Sequence, residues 1–323
     1  MGALPSLLAP STETRPAPCG DGLAPVRQAI LEALTYGDLF DYALSPEQIL
    51  RYLTVAADPV TVRDLLDGGT DGIAQRTGGL FTLPGRGALV AVRARRQAIA
   101  QGKWADADPH LRRIAALPFV RMIAVTGSLA LDNAEEDGDV DLFIVTAAGR
   151  LWLCRAFVVL AVRRATMSGL DICPNYFLSE ARLALPSQSL FDARELAQMV
   201  PVYGMALYRQ VRALNPWVEG FLPQAGGPPE GGRPEITLSA RQLAAKQALE
   251  RLLGGRLGQR LEDWEMGRKV RRFQRRAQGQ AGHVCFTADC CKGHFGDHHA
   301  AIAQQFERRL AQYGLTMESS LER

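Results

Sequence analysis

Two apolar runs separated by an acidic loop constrain this chain more than any other feature. The first, Val120-Arg121-Met122-Ile123-Ala124-Val125-Thr126, is rich in β-branched and apolar residues and predicts a buried strand. Gly127-Ser128 breaks it, and residues 129–133 start a helix or turn. The acidic loop over residues 132–139 then leads into a second strand, residues 140–146. An apolar helix over residues 149–166 and a third strand over 172–178 follow. Strand, turn, strand, helix, strand in quick succession predicts an α/β (α+β) arrangement. Strand side chains alternate faces, so Asp139 and Asp141 project to one side while Val140 and Leu142 enter the core.

The flanks divide around this core. Residues 1–24, rich in Pro, Gly, Ser and Ala, read as a flexible leader. Residues 25–87 predict three helices and a hairpin. Ile30, Leu31 and Leu34 recur at helical spacing, Ser45-Pro46-Glu47-Gln48 marks a helix start, and a third helix follows Asp58-Pro59. Two short strands around Thr77-Gly78 complete the layout of a winged helix-turn-helix-like module. Its third helix carries Arg63 among Asp58, Asp64 and Asp67, an acidic balance that faces phosphate poorly and favours a packing role over DNA reading. The core is expected over residues 88–222, opening with a helix over 88–101 and another over 109–116. Past residue 187 helices dominate. A Gly/Pro linker over 223–235 precedes a helical C-terminal region, residues 236–323, with a Cys/His-rich turn.

The central segment carries the chemistry. Two carboxylates held close repel each other unless a cation sits between them. Mg²⁺ (or Mn²⁺) prefers oxygen ligands and commonly bridges carboxylates to substrate phosphates. Gly127 lets a phosphate approach the backbone, and Ser128 adds a hydroxyl and an amide where free N–H groups favour an anion. Gly127-Ser128 followed by Asp139-x-Asp141 on the next strand resembles the signature of the nucleotidyltransferase superfamily, which includes DNA polymerase beta, kanamycin nucleotidyltransferase and the minimal bacterial nucleotidyltransferases.

The resemblance covers about residues 105–180 and implies a nucleotidyltransferase-type mixed sheet with flanking helices. It also implies Asp139 and Asp141 as metal ligands, Gly127 and Ser128 as the phosphate grip, and transfer of a nucleoside monophosphate from a nucleoside triphosphate to a hydroxyl acceptor. Active members carry a third carboxylate on a neighbouring strand. Here that position falls on Asp171, which completes a triad with Asp139 and Asp141, or on Asn175, a neutral amide, with Glu180 a further candidate. By alternation Asp171, Cys173, Asn175 and Phe177 share a face. A catalytically inactive nucleotide-sensing or DNA-binding regulator is the alternative function, and the chemistry at Asp171 and Asn175 separates the two.

Four of the five histidines and three of the six cysteines fall within residues 283–299: His283, Cys285, Cys290, Cys291, His294, His298 and His299. Three readings stand: a Zn²⁺ site, with Cys290, His294 and His298 one helical turn apart; a nucleotide-binding lid in which Lys292 and the imidazoles meet phosphate; or a structural turn. Arg268, Lys269, Arg271, Arg272, Arg275 and Arg276 lie on a helix just upstream, a solvated face or a track for nucleic acid. The net charge of +3 does not announce a nucleic-acid binder. No run reaches the roughly 20 apolar residues that span a bilayer, so no membrane partner is expected and the working location is the cytoplasm.

Overall fold

The computed structural model describes residues 23–68, 72–167, 169–229, 231–277, 285–292 and 298–315. In chain order they form α1 (Ala24–Asp38), α2 (Pro46–Arg51), α3 (Pro59–Asp67), β1 (Gln75–Thr77), β2 (Leu80–Thr82) and α4 (Leu89–Ala115). Next come β3 (Val120–Thr126), α5 (Gly127–Ala130), β4 (Val140–Thr146), α6 (Leu151–Thr166) and β5 (Ile172–Ser179). Then follow α7 (Leu190–Gln198), β6 (Val200–Tyr203), α8 (Met205–Ala213), α9 (Trp217–Phe221), α10 (Ala240–Gly254) and α11 (Arg256–Ala277). The last elements are β7 (Cys285–Phe286), β8 (Cys290–Lys292) and α12 (His298–Ala311). The fold is mixed α/β, with a six-stranded mixed sheet in the order β6-β3-β4-β5-β8-β7 and a separate hairpin, β1-β2. β4 and β5 run parallel and every other neighbouring pair is antiparallel.

The sheet is covered on both faces. On one, Met122, Ala124, Phe143, Val145, Tyr176 and Leu178 share a core with Ile30, Leu34 and Ile49 of the N-terminal helices. On the other, Ile123, Val125, Leu142, Ile144 and Phe177 pack with Trp104 and Leu111 of α4, Trp152 of α6 and Phe273 of α11. The N-terminal helices start where capping chemistry places them. Ser45 and Gln48 form a reciprocal capping box around Pro46, and the Asp58 carboxylate accepts from Val60 N and Thr61 N. The aspartate that argued against DNA contact therefore has a structural task.

Three sequence expectations need correction. The two helices at 88–101 and 109–116 are one helix, α4, which runs through Pro109. Ala100, Trp104, Ala107, Leu111 and Ile114 bury a continuous stripe on both sides of the proline, and that packing outweighs the backbone hydrogen bond the ring removes. Helices dominate past residue 187 as expected, with the short β6 added at the sheet edge beside β3. Residues 285–292 are not a turn between helices but a hairpin that extends the sheet from β5. Finally, alternation along β5 is interrupted. Asp141 pairs with Cys173 but Phe143 pairs with Tyr176, so β5 has one extra residue there, and Phe177 faces the opposite core from Tyr176.

The Gly/Pro segment has no regular structure, yet it is fastened to the core. Ile236 N donates to Val202 O at 2.7 Å, and the Glu235 carboxylate accepts from Gly204 N and Met205 N. Two carboxylates and a lysine dock the C-terminal helices. Glu262 accepts from Trp152 N (2.8 Å) and Leu153 N (2.7 Å), satisfying free donors at the start of α6. Glu250 on α10 accepts from Phe119 N and from Arg121. Lys246, only 4% exposed, donates to Ala115 O (2.7 Å), Val120 O (2.6 Å) and the Tyr203 hydroxyl (3.2 Å). α10 is thereby pinned to α4, β3 and β6 by polar bonds. Lys246→Ala leaves buried carbonyls unpaired and is expected to cost about 1–3 kcal/mol of unfolding free energy, read from urea melts. An unchanged midpoint would show that α10 does not depend on this anchor.

Candidate functional site

The site is built where β3 hands over to α5. Thr126, the last residue of β3, stands opposite Asp141 of β4. The chain leaves through Gly127 with φ +67°, a left-handed conformation that favours glycine. A Cβ at Gly127 would lie 2.5 Å from Asp141 Oδ2, so the position demands glycine twice over. The positive φ is a demand of the backbone, and the close approach is set by the Asp141 side chain holding its carboxylate against the glycine.

Asp139, Asp141 and Cys173 bring one ligand atom each to within 4.8 Å of one another, as expected for the two aspartates. Asn175 Nδ2 donates to Asp141 Oδ1 at 2.8 Å. Asp141 is pushed up to about 7, first by burial and then by the charges of Asp139 and Glu195, against the opposing hydrogen bonds from Asn175 and Cys173. The Cys173 thiol is pushed up to about 12 by burial and by the same two aspartates, so it stays protonated. A protonated thiol is a poor ligand for a hard cation, whereas the two carboxylates suit one well. A cation between them would relieve the repulsion that raises Asp141. Asp139 and Asp141 are therefore the residues that would hold a hard divalent cation such as Mg²⁺ or Mn²⁺.

A cavity of about 280 Å³ opens over this corner. It is lined by Gly127, Ser128 and Asp141, by Glu195 and its neighbours on α7, by the loop after α5, and by the N-terminal helices, with Ile302 of α12. Glu195 is also raised to about 7, by burial above all, with Lys292 pulling it back down and Asp192 pushing it up.

The remaining predicted residues lie elsewhere. Asp171 stands exposed at the start of β5, where its carbonyl accepts from Val140 N, and its carboxylate is not in the Asp139–Asp141–Cys173 group. Asn175 instead holds the place beside Asp141, to which its amide donates. Glu180 sits at the other end of β5, accepting from Ala148 N. Lys292 on β8 is buried, 3.3 Å from Asp192 Oδ1, with Nζ 5.4 Å from the Tyr176 ring centroid. It lies in the sheet rather than in a lid.

Cys290 and Cys291, on successive positions of β8, belong to the cores on opposite faces of the sheet, so they cannot turn toward one ion together. Cys285 and Cys290 adjoin each other, and the hydrogen bond from Cys290 pulls the Cys285 thiol down. His283 and His294 lie outside the described residues. The basic stretch of α11 turns Phe273 into the core and leaves Arg271, Arg272 and Arg275 exposed.

Reasoning from the sequence missed Glu195 and Arg194, which line the cavity from α7, and the aromatic residues opposite them. Their one local signal was the presence of Asp192 and Arg194 among the buried residues of a short amphipathic helix. Compared with protein-family models, with curated proteins and with solved structures, the chain finds no match. Among the described residues no helix is long and apolar enough to cross a membrane.

The electrostatics give a signed expectation. Asp141 has a folded-state value of about 7 against 3.8 for the free group, so the folded protein holds that proton more tightly. Its contribution to stability is full below about pH 4 and is lost as pH rises through 7. In metal-free buffer, denaturation midpoints should fall over that window for the wild type and fall less for Asp141→Asn. Identical pH profiles for the two proteins would contradict the assignment. Gly127→Ala, which drives a methyl group against Asp141, should weaken Mg²⁺ binding at least tenfold in calorimetry.

Proposed function

We propose that this chain is a metal-dependent nucleotidyltransferase, moving a nucleoside monophosphate from a nucleoside triphosphate to a hydroxyl acceptor. The observation that carries the reading is the corner where Asp141, close to Asp139, meets the side-chain-free backbone of Gly127 on the wall of a cavity. Asp139 and Asp141 would hold the ion, and Gly127 and Ser128 would admit the phosphates to the main chain. A bound divalent ion supplies Lewis acidity at a phosphoryl oxygen. The protein orients the phosphates against a fixed turn and excludes water with the N-terminal helices. Glu195, raised to about 7 and lining the same cavity, is the carboxylate placed to accept a proton from the acceptor hydroxyl.

One observation favours a second reading. The neighbouring strand offers Asn175 to Asp141 where the superfamily resembled here has a carboxylate, and its amide donates a hydrogen bond that a metal-bound carboxylate does not need. A protein that binds the nucleotide as a signal and does not turn it over would tolerate that amide.

Calorimetry and a transfer assay with α-labelled triphosphate separate the readings. Asp139→Asn combined with Asp141→Asn should abolish Mg²⁺-dependent binding of a non-hydrolysable triphosphate without lowering the melting temperature. Binding that persists unchanged would sink both readings. Asn175→Asp should tighten Mg²⁺ binding by adding a third charge, while Asp171→Ala should leave it untouched. Label transferred by the wild type and lost in Glu195→Gln supports the enzyme; binding with no transfer in the wild type or in Asn175→Asp supports the sensor.

A further inference from the structure

The cavity over Asp141 has two unlike ends. One is the acidic corner with Gly127 and Ser128, and the other is a set of rings brought by the N-terminal helices and α7. Tyr36 lies on α1, Phe40 in the turn after it, Tyr52 at the end of α2 and Phe191 on α7. Phe40 is 38% exposed, and its ring centroid lies 5.4 Å from that of Tyr36. Behind them sits Arg194, 4% exposed, its guanidinium 3.8 Å from the Tyr36 ring centroid and 5.1 Å from that of Tyr52. Arg194 Nε is buried and has no hydrogen-bond partner. Burial lowers the pKa of this guanidinium, a sign that its charge is held there at a cost.

A buried donor without an acceptor, beside the rings of a cavity that elsewhere carries acids, suits a ligand that is flat and has acceptors on its edge. The wall is rigid. Tyr42 Oη donates to Leu131 O at 2.8 Å, Asn133 Nδ2 donates to Phe40 O at 3.2 Å, and Arg96 reaches the same carbonyl at 2.9 Å. These bonds join the N-terminal helices to the loop after α5, so the rings keep their distance from Asp141. The volume of about 280 Å³ lies near the lower end of the range of about 300–1,000 Å³ spanned by small-molecule sites.

We infer that the N-terminal module supplies the nucleobase pocket: the base of the nucleotide lies among Tyr36, Phe40 and Phe191, and Arg194 donates to an acceptor on its edge. The inference rests on the reading of Gly127, Ser128 and the aspartates as the phosphate end. It gives the three-helix module a task inside the site rather than on a DNA duplex.

The test compares two ligands on one protein. Calorimetry in Mg²⁺ measures a non-hydrolysable nucleoside triphosphate and inorganic tripolyphosphate, on the wild type and on Phe40→Ala, Phe191→Leu and Arg194→Gln. Each substitution should weaken the nucleotide about tenfold, the scale of one lost base-stacking contact, and leave tripolyphosphate unchanged. Phe40→Trp should restore nucleotide affinity, which a change in fold would not allow. Because Phe40 is the most exposed of the rings, its alanine variant keeps the test valid if Arg194→Gln does not fold. Equal weakening of both ligands, or nucleotide affinity indifferent to Phe40, overturns the pocket. Tripolyphosphate binding that still needs Asp139 and Asp141 would leave the metal corner standing in that case. A wild type that binds neither ligand would remove the phosphate reading and the base pocket with it.

Discussion

The antiparallel pairing of β3 with β4 sets Thr126 opposite Asp141, and the chain can leave that pair only through a residue without a side chain. Gly127 meets both demands, a positive φ and a close approach to a carboxylate. The result is a corner with Asp139 and Asp141 on one side and bare main chain on the other. Burial then charges the corner with tension. Asp141 cannot ionise cheaply in this place, and its raised pKa reports burial first and the charge of Asp139 second.

The rest of the fold holds this corner still. α4 bears on one face of the sheet through a long apolar stripe, and the N-terminal helices cover the other. What reads in the sequence as a separate module shares one core with the sheet and is hydrogen-bonded to the loop after α5. Arg86 pairs with Asp38 and Asp41, and Arg309 of α12 also reaches Asp38, so α1, the hairpin and the C-terminal helix meet at one buried carboxylate. A site assembled from pieces this far apart in sequence is positioned by the whole chain.

That distribution explains what the sequence made legible. The strands at 120–126, 140–146 and 172–179 were readable because β-branched runs between breakers report local burial, and Asp139 with Asp141 was readable because a two-residue period is a local rule. The continuity of α4 through Pro109 was not, since a proline signals a break and only the buried stripe of Trp104, Ala107 and Leu111 overrides it. β6 is four residues long, too short for a periodic signal. The extra residue between Cys173 and Tyr176 is a register event, visible only against β4, and so is the pairing of Asp141 with Cys173 that sets Asp171 two residues back from Asp141. Glu195 and Arg194 reach the site by the docking of α7, which no spacing in the chain encodes.

The hairpin of β7 and β8 carries a consequence for how the protein is made. β8 covers the open edge of β5, and Cys290 and Cys291 complete the cores above and below the sheet at that edge. On the ribosome, β3, β4, β5 and β6 are all synthesised well before residue 290 emerges. A nascent chain therefore passes through a stage in which β5 is an unpaired edge, with the hydrophobic patches meant for Cys290 and Cys291 uncovered. Vectorial synthesis leaves this edge to the end. A chain stalled or clipped in the helices before it would retain the acidic corner and lose its protection against strand-to-strand association with other copies.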